Sequence, residues 1–171
     1  TGLLLVLLYH FFQTIFPGGF FGVDVFFTFS GFLITALLIE EFSKNHEIDL
    51  IGFFRRRFYR IVPPVVLMVL VTMPFTFLVR QDYVAGIGGQ IAGVLGFMTN
   101  FYELLTGGSY ESQFIPHLFV HNWSLAVEVH YYILWGLAVW FLSKQAKSNG
   151  QLKGMVFLLS AAAFLISFFS M

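Results

Sequence analysis

Apolar runs of roughly 20 residues, cut by short polar stretches, decide most of what this chain can become. Residues 20–39 carry a single charge, Asp24. Folded as a helix, a run of that length matches the hydrocarbon thickness of a bilayer. It also satisfies its own backbone N–H and C=O groups, which lipid does not. Of the 171 residues, 58% are hydrophobic and only 11% are charged, against about 25% charged in soluble domains. No segment shows the alternation of a membrane barrel. The expected fold class is therefore all-α, a polytopic transmembrane helical bundle. The formal net charge is zero, which gives no general attraction to nucleic acid. The sequence contains no cysteine, so disulfide and thiolate chemistry are excluded for it.

Glycine, proline and charge punctuate the runs. Residues 3–16 read as a slightly short first helix ended by Pro17, Gly18 and Gly19. They lack the basic start and the small-residue cleavage site of a signal peptide. Residues 20–39 form the second span and 40–49 a polar loop. Residues 50–60 read as an interfacial helix feeding a third span over 61–79. Pro63 and Pro64 are expected in that span's first turn, where a missing N–H costs least. Residues 83–102 are a fourth apolar segment, interrupted by Gly86, Gly88, Gly89, Gly93 and Gly96. Residues 103–122 read as a polar, aromatic loop, 123–142 as another span, 143–153 as a loop and 154–171 as the start of the last helix. The apolar ends suggest a segment of a longer membrane protein.

Lys44, Arg55, Arg56, Arg57 and Arg60 make residues 40–60 cytoplasmic by the positive-inside rule. If 83–102 crosses the membrane, Lys144, Lys147 and Lys153 fall outside, against that rule. If it re-enters, the conflict disappears. Its glycines permit re-entry and equally permit a closely packed crossing helix, so the sequence leaves both open.

His10 and Asp24 lie about six residues either side of the 17–19 turn, each about 9 Å along its helix. Adjacent helices sit about 8–10 Å apart, so a hydrogen bond between the two is feasible. On that reading Asp24 fixes the imidazole tautomer, and His10 acts as a general base or carries an acyl group. The alternative is an interhelical polar clamp, or a hydrated aspartate. Asp24, Thr28, Gly31 and Thr35 share one helix face, expected to look into protein. Small residues there equally serve close packing.

His121, Ser124, Glu128 and Tyr131 recur at helical spacing. Glu128 lies about a turn and a half into its span, where a carboxylate costs about 2.5–3.5 kcal/mol unless paired or neutral. It either binds or handles a proton, or makes a buried structural hydrogen bond. Trp123 also suits an interfacial belt. His46 and His117 fall in loops and are expected to be solvated. No histidine pair has the spacing of a metal site.

Topology alone explains a cationic cluster but does not prefer arginine to lysine. All four residues at 55, 56, 57 and 60 are arginine, whose planar fork suits phosphate. A phosphate-bearing cofactor and anionic lipid headgroups both fit.

The ordered stretches "H…PGGFFGVDVFFTFSGFLIT", "FFRRRFYRIVPP" and "HNWSLAVEVHYY" resemble membrane acyltransferase family 3 over residues 4–136. The resemblance implies a bundle of about ten helices, of which residues 1–171, the N-terminal part, hold about five to six by span length. It implies acetyl-CoA as the cytoplasmic donor and hydroxyls of a cell-surface glycan, peptidoglycan first, as the acceptor. His10 matches the family's essential helix-one histidine, and Asp24 its Gly-Val-Asp. Arg55 and Arg57 match its Arg-x-Arg loop, with Arg60 following. Trp123, Ser124, Leu125 and Glu128 match its Trp-Ser-Leu-x-x-Glu motif. The motif's usual tail, Glu-Gln-Phe-Tyr, reads Val129-His130-Tyr131-Tyr132 here, so no role is carried over beyond Glu128. Many members also carry an extracellular esterase-like domain, an implied partner in this or another chain alongside membrane lipid.

The resulting expectation is a multi-pass O-acetyltransferase of the cell membrane. Arg55, Arg57 and Arg60 would grip acetyl-CoA, His10, Asp24 and Glu128 would carry the chemistry, and Trp123 and Ser124 would line the substrate cavity, with no metal. The competing class is a transporter or channel that uses buried His, Asp and Glu without covalent chemistry.

Overall fold

A computed structural model describes residues 11, 21–78, 84–106 and 117–170. Among these the chain is helical and has no strand. Helix α1 is Gly22–Asn45 and α2 is Leu50–Thr72, which tightens into a 3-10 stretch at Met73–Leu78. Two short helices follow, α3 at Ile87–Leu95 and α4 at Thr99–Thr106. A 3-10 turn at Val120–Asn122 leads into α5, Trp123–Gln145, and α6 is Asn149–Phe169. Four helices, α1, α2, α5 and α6, are long and apolar enough to cross a membrane. The expected first span at 3–16 and the 17–19 turn lie outside the described residues.

Two boundaries differ from expectation. Helix α1 continues six residues past Ile39, through most of the supposed polar loop. Lys44 Nζ donates to Glu40 Oε1 at 2.6 Å there, one helical turn apart in the favourable order. His46 then ends the helix in the left-handed region, its N–H bonded to Phe42 O at 2.8 Å. The interfacial helix and the third span are one continuous helix, so Pro63 and Pro64 lie inside it and not in its first turn. The two missing N–H groups release the carbonyls of Tyr59 and Arg60. Both residues are exposed and sit in the arginine-bearing, water-facing part of the helix, where water accepts that role.

The chain divides into two compact units. The first comprises residues 1–50 and 132–171 and holds α1, α6 and the later part of α5. Its buried residues include Ile34, Leu38 and Phe42 of α1, Val139 of α5, and Leu152 and Val156 of α6. Ser30 and Tyr132 hydroxyls meet at 3.1 Å, and Trp135 Nε1 donates to Thr35 Oγ1 at 2.8 Å. Asn149 Nδ2 donates to Ser43 Oγ at 3.1 Å, and Lys144 Nζ lies 3.8 Å from Glu47 Oε1. The partners advance together along α1 and α5, so these helices run parallel and end at the same membrane face.

That parallel arrangement brings Lys44 and the lysines at 144, 147 and 153 to one end of this unit.

The second unit, residues 51–131, contains a short helical hairpin. Helices α3 and α4 have 9 and 8 residues, about 12–14 Å each, too short to span. Phe97, at φ 53°, closes α3 in a Schellman arrangement. Met98 N–H bonds to Gly93 O at 2.7 Å and Phe97 N–H to Val94 O at 3.2 Å. Helix α4 then folds back on α3, and Tyr102 lies along the glycine face. Its hydroxyl donates to Gly86 O at 3.3 Å. A Cβ placed on Gly89 would come within 2.8 Å of Tyr102 Cε2, whereas one on Gly88 meets nothing within 4 Å. Gly89→Ala is therefore expected to destabilise the hairpin by about 1–3 kcal/mol through overpacking. Gly88→Ala should be neutral or stabilising by up to about 1 kcal/mol through helix propensity. Thermal unfolding of the two variants in detergent checks this. Val65 and Val69 of α2, Val94 of α3 and Phe119 form the core beneath.

Candidate functional site

The first turns of α2 carry the cations. Arg55, Arg56 and Arg60 are exposed and Arg57 is half-buried. The Arg57 guanidinium stands 5.4 Å from the ring centroid of Phe53, one turn earlier and itself buried. This i, i+4 cation–π contact fixes the Arg57 fork, while Arg60, one turn on, shares its face. Such an arrangement can hold a polyanion with one preorganised and several mobile donors.

Helix α5 carries the second motif. Glu128 is buried, at 5% exposure. Trp123 and Ser124 are half-buried, and Ser124 Oγ donates to His121 O at 3.3 Å. Leu125 packs on the core of Val65, Val69, Val94 and Phe119, so within this motif the leucine sets the depth of the helix. His121 is exposed. The expected shared face thus runs from an exposed histidine to a buried carboxylate.

Asp24 lies in the first turn of α1, where helix N-terminal N–H groups favour a carboxylate. It is exposed, as is Thr28, whose hydroxyl donates to Asp24 O at 2.8 Å. The face expected to look wholly into protein does so at Thr35, whose hydroxyl donates to Gly31 O at 2.7 Å and accepts from Trp135. It does not at Asp24 and Thr28, because Thr28 is satisfied by its own helix. His10 lies outside the described residues, and with it the proposed His10–Asp24 pair.

One site escaped sequence reasoning. His117, expected to be solvated, is only 16% exposed in its side chain, and its Nδ1 lies 2.8 Å from Oε2 of Glu103, exposed to 8%. The rings of His117 and Tyr102 stand 5.6 Å apart. Gln90, 1% exposed, donates from Nε2 to Ala85 O at 2.7 Å and accepts Phe119 N–H at Oε1 at 3.3 Å. The glycine hairpin therefore holds Tyr102, Tyr102 flanks His117, and Gln90 ties the segment after His117 to α3. His46, in contrast, is exposed as expected. Among the described residues no cluster of His, Asp and Glu has the arrangement of a metal site.

Comparison with known proteins agrees with the motif order. The chain is 33% identical over 142 residues to O-acetyltransferase OatA of Staphylococcus aureus strain NCTC 8325, covering 83% of this chain and 24% of that relative. It is 34% identical over 128 residues to a protein of S. aureus strain COL provisionally named an O-acetyltransferase, covering 75% and 21%. The chain thus spans about a quarter of the length of the curated relatives it matches. No solved structure matches it. The acyltransferase domain description of family 3 covers residues 1–171 from end to end, and the chain belongs to that family.

Proposed function

We propose that the protein is an integral membrane O-acetyltransferase, of which this chain forms the N-terminal part of the transmembrane domain. It would move the acetyl group of cytoplasmic acetyl-CoA toward hydroxyls of a cell-surface glycan, most directly peptidoglycan. The observation that carries this reading is the clustering of cations along the chain. Eight of the nine Lys and Arg residues fall within 44–60 and 144–153, around the end of α1 and start of α2 and around the end of α5 and start of α6. The positive-inside rule makes such segments cytoplasmic, and the guanidiniums suit the phosphates of a nucleotide thioester.

Arg55, Arg57 and Arg60 bind the donor there. The carbon–sulfur bond of the thioester breaks, and the thiol leaves with a proton. The acetyl carbon bonds either to His10, oriented by Asp24, or directly to a hydroxyl oxygen deprotonated by His10. Glu128, buried on α5 one turn after Ser124, takes part in proton handling. Sealed vesicles containing the full-length protein, loaded with acetyl-labelled acetyl-CoA on the arginine side, test the proposal. Label is expected as an ester on glycan added to the opposite side. Solute or proton flux without ester formation would favour a transporter and overturn it.

A further inference from the structure

We infer that His117, positioned by Glu103, is a second proton-transfer site, the base that receives the acceptor hydroxyl's proton. The inference rests on the acetyl-transfer reading above and assigns a base for its last step. Three observations carry it. First, the pair has the geometry of an oriented base. With Glu103 ionised, Nδ1–H donates to Oε2 at 2.8 Å, which leaves the lone pair on Nε2. Second, Nε2 has no partner among the described residues, although the side chain keeps 16% exposure. Third, α4 carries buried acceptors left unused: among the described residues Glu103 Oε1, Asn100 Oδ1 and Thr99 Oγ1 are without hydrogen-bond partners. Thr99 and Glu103 are one turn apart on α4, 2% and 7% exposed. Buried polar atoms are almost always satisfied in native proteins, so a hydroxyl-rich ligand or ordered water fits here.

The step belongs to the route through an acylated side chain. The hydroxyl oxygen bonds to the carbonyl carbon of that acyl group as its proton passes to Nε2. Collapse then breaks the bond from that carbon to the carrier atom, which takes the proton. Around the imidazole stand Glu103, which fixes it, and Tyr102, whose hydroxyl is engaged by Gly86 O.

The test uses the full-length protein in vesicles, with labelled acetyl-CoA and an N-acetylglucosamine oligosaccharide. His117→Ala is expected to lower kcat by about 100- to 1,000-fold, with KM for acetyl-CoA changed less than about threefold. Added imidazole should restore at least tenfold of the loss, in proportion to its unprotonated fraction. Glu103→Gln, which keeps a hydrogen-bonding partner but not the charge, should lower kcat less, about tenfold. His117→Gln retains the tether to Glu103 but no basic nitrogen. Turnover in that variant within twofold of the parent, or no imidazole rescue of His117→Ala, would overturn the inference while leaving the acetyl-transfer reading intact. Absence of transfer by the parent protein would instead overturn the reading beneath it.

Discussion

Replacing Glu128 by glutamine is expected to lower acetyl transfer by about 100-fold or more while leaving the helix in place. The carboxylate is 5% exposed in a helix long and apolar enough to cross a membrane, where an ionisable residue is by default a functional one. Glutamine preserves the volume and one acceptor, so packing around Leu125 should survive. It removes the titratable proton, and general acid–base groups contribute about 10²–10⁴-fold. Thermal unfolding of Glu128→Gln is expected to stay close to the parent's. An equally active Glu128→Gln would assign the residue to structure alone. Initial rates and thermal unfolding of the same preparation separate the two.

Arg57→Ala is expected to raise KM for acetyl-CoA by about 10- to 100-fold with little change in kcat. Hydrogen bonds to charged groups contribute about 1.5–3 kcal/mol, and tenfold in affinity is about 1.4 kcal/mol. Arg57 is singled out from its neighbours because its guanidinium stands over the Phe53 ring, 5.4 Å from the centroid. Arg55 and Arg56, both exposed, retain more freedom and should show smaller effects alone. Arg57→Lys should recover little, since an ammonium lacks both the fork and the planar stack. If the cluster serves only topology, Arg57→Lys would behave like the parent protein.

The spans beginning near residues 20 and 123 were legible because length and apolar composition have one common solution in lipid. The positions of the prolines were not. The rule that places proline in a first turn assumes the helix starts with the apolar run. Here it starts at Leu50, and the arginines extend it outward from the membrane. Residues 83–106 were ambiguous because glycine serves both a turn and a packing face. In the structure Tyr102 covers Gly86, Gly89 and Gly93, a contact no local pattern specifies. The Glu103–His117 pair was invisible for a related reason: no helical period relates residues on α4 to a residue in the approach to α5. A faint signal existed, since Thr99, Glu103 and Thr106 repeat at three- and four-residue spacing, as a polar stripe on a helix would. At the arginines, the cationic cluster was legible in the sequence, and the contact of Arg57 with Phe53 came only with the structure.

The proposed transfer needs the cationic segments on the donor side of the membrane and the Glu103–His117 pair on the acceptor side. The sequence has no cysteine, so single cysteines at exposed Thr106 and Lys147 report sidedness cleanly within this segment. A membrane-impermeant maleimide applied to intact cells stripped of their wall is predicted to label Thr106→Cys, and to label Lys147→Cys only after permeabilisation. Labelling of both from the same side would contradict that sidedness and the account built on it.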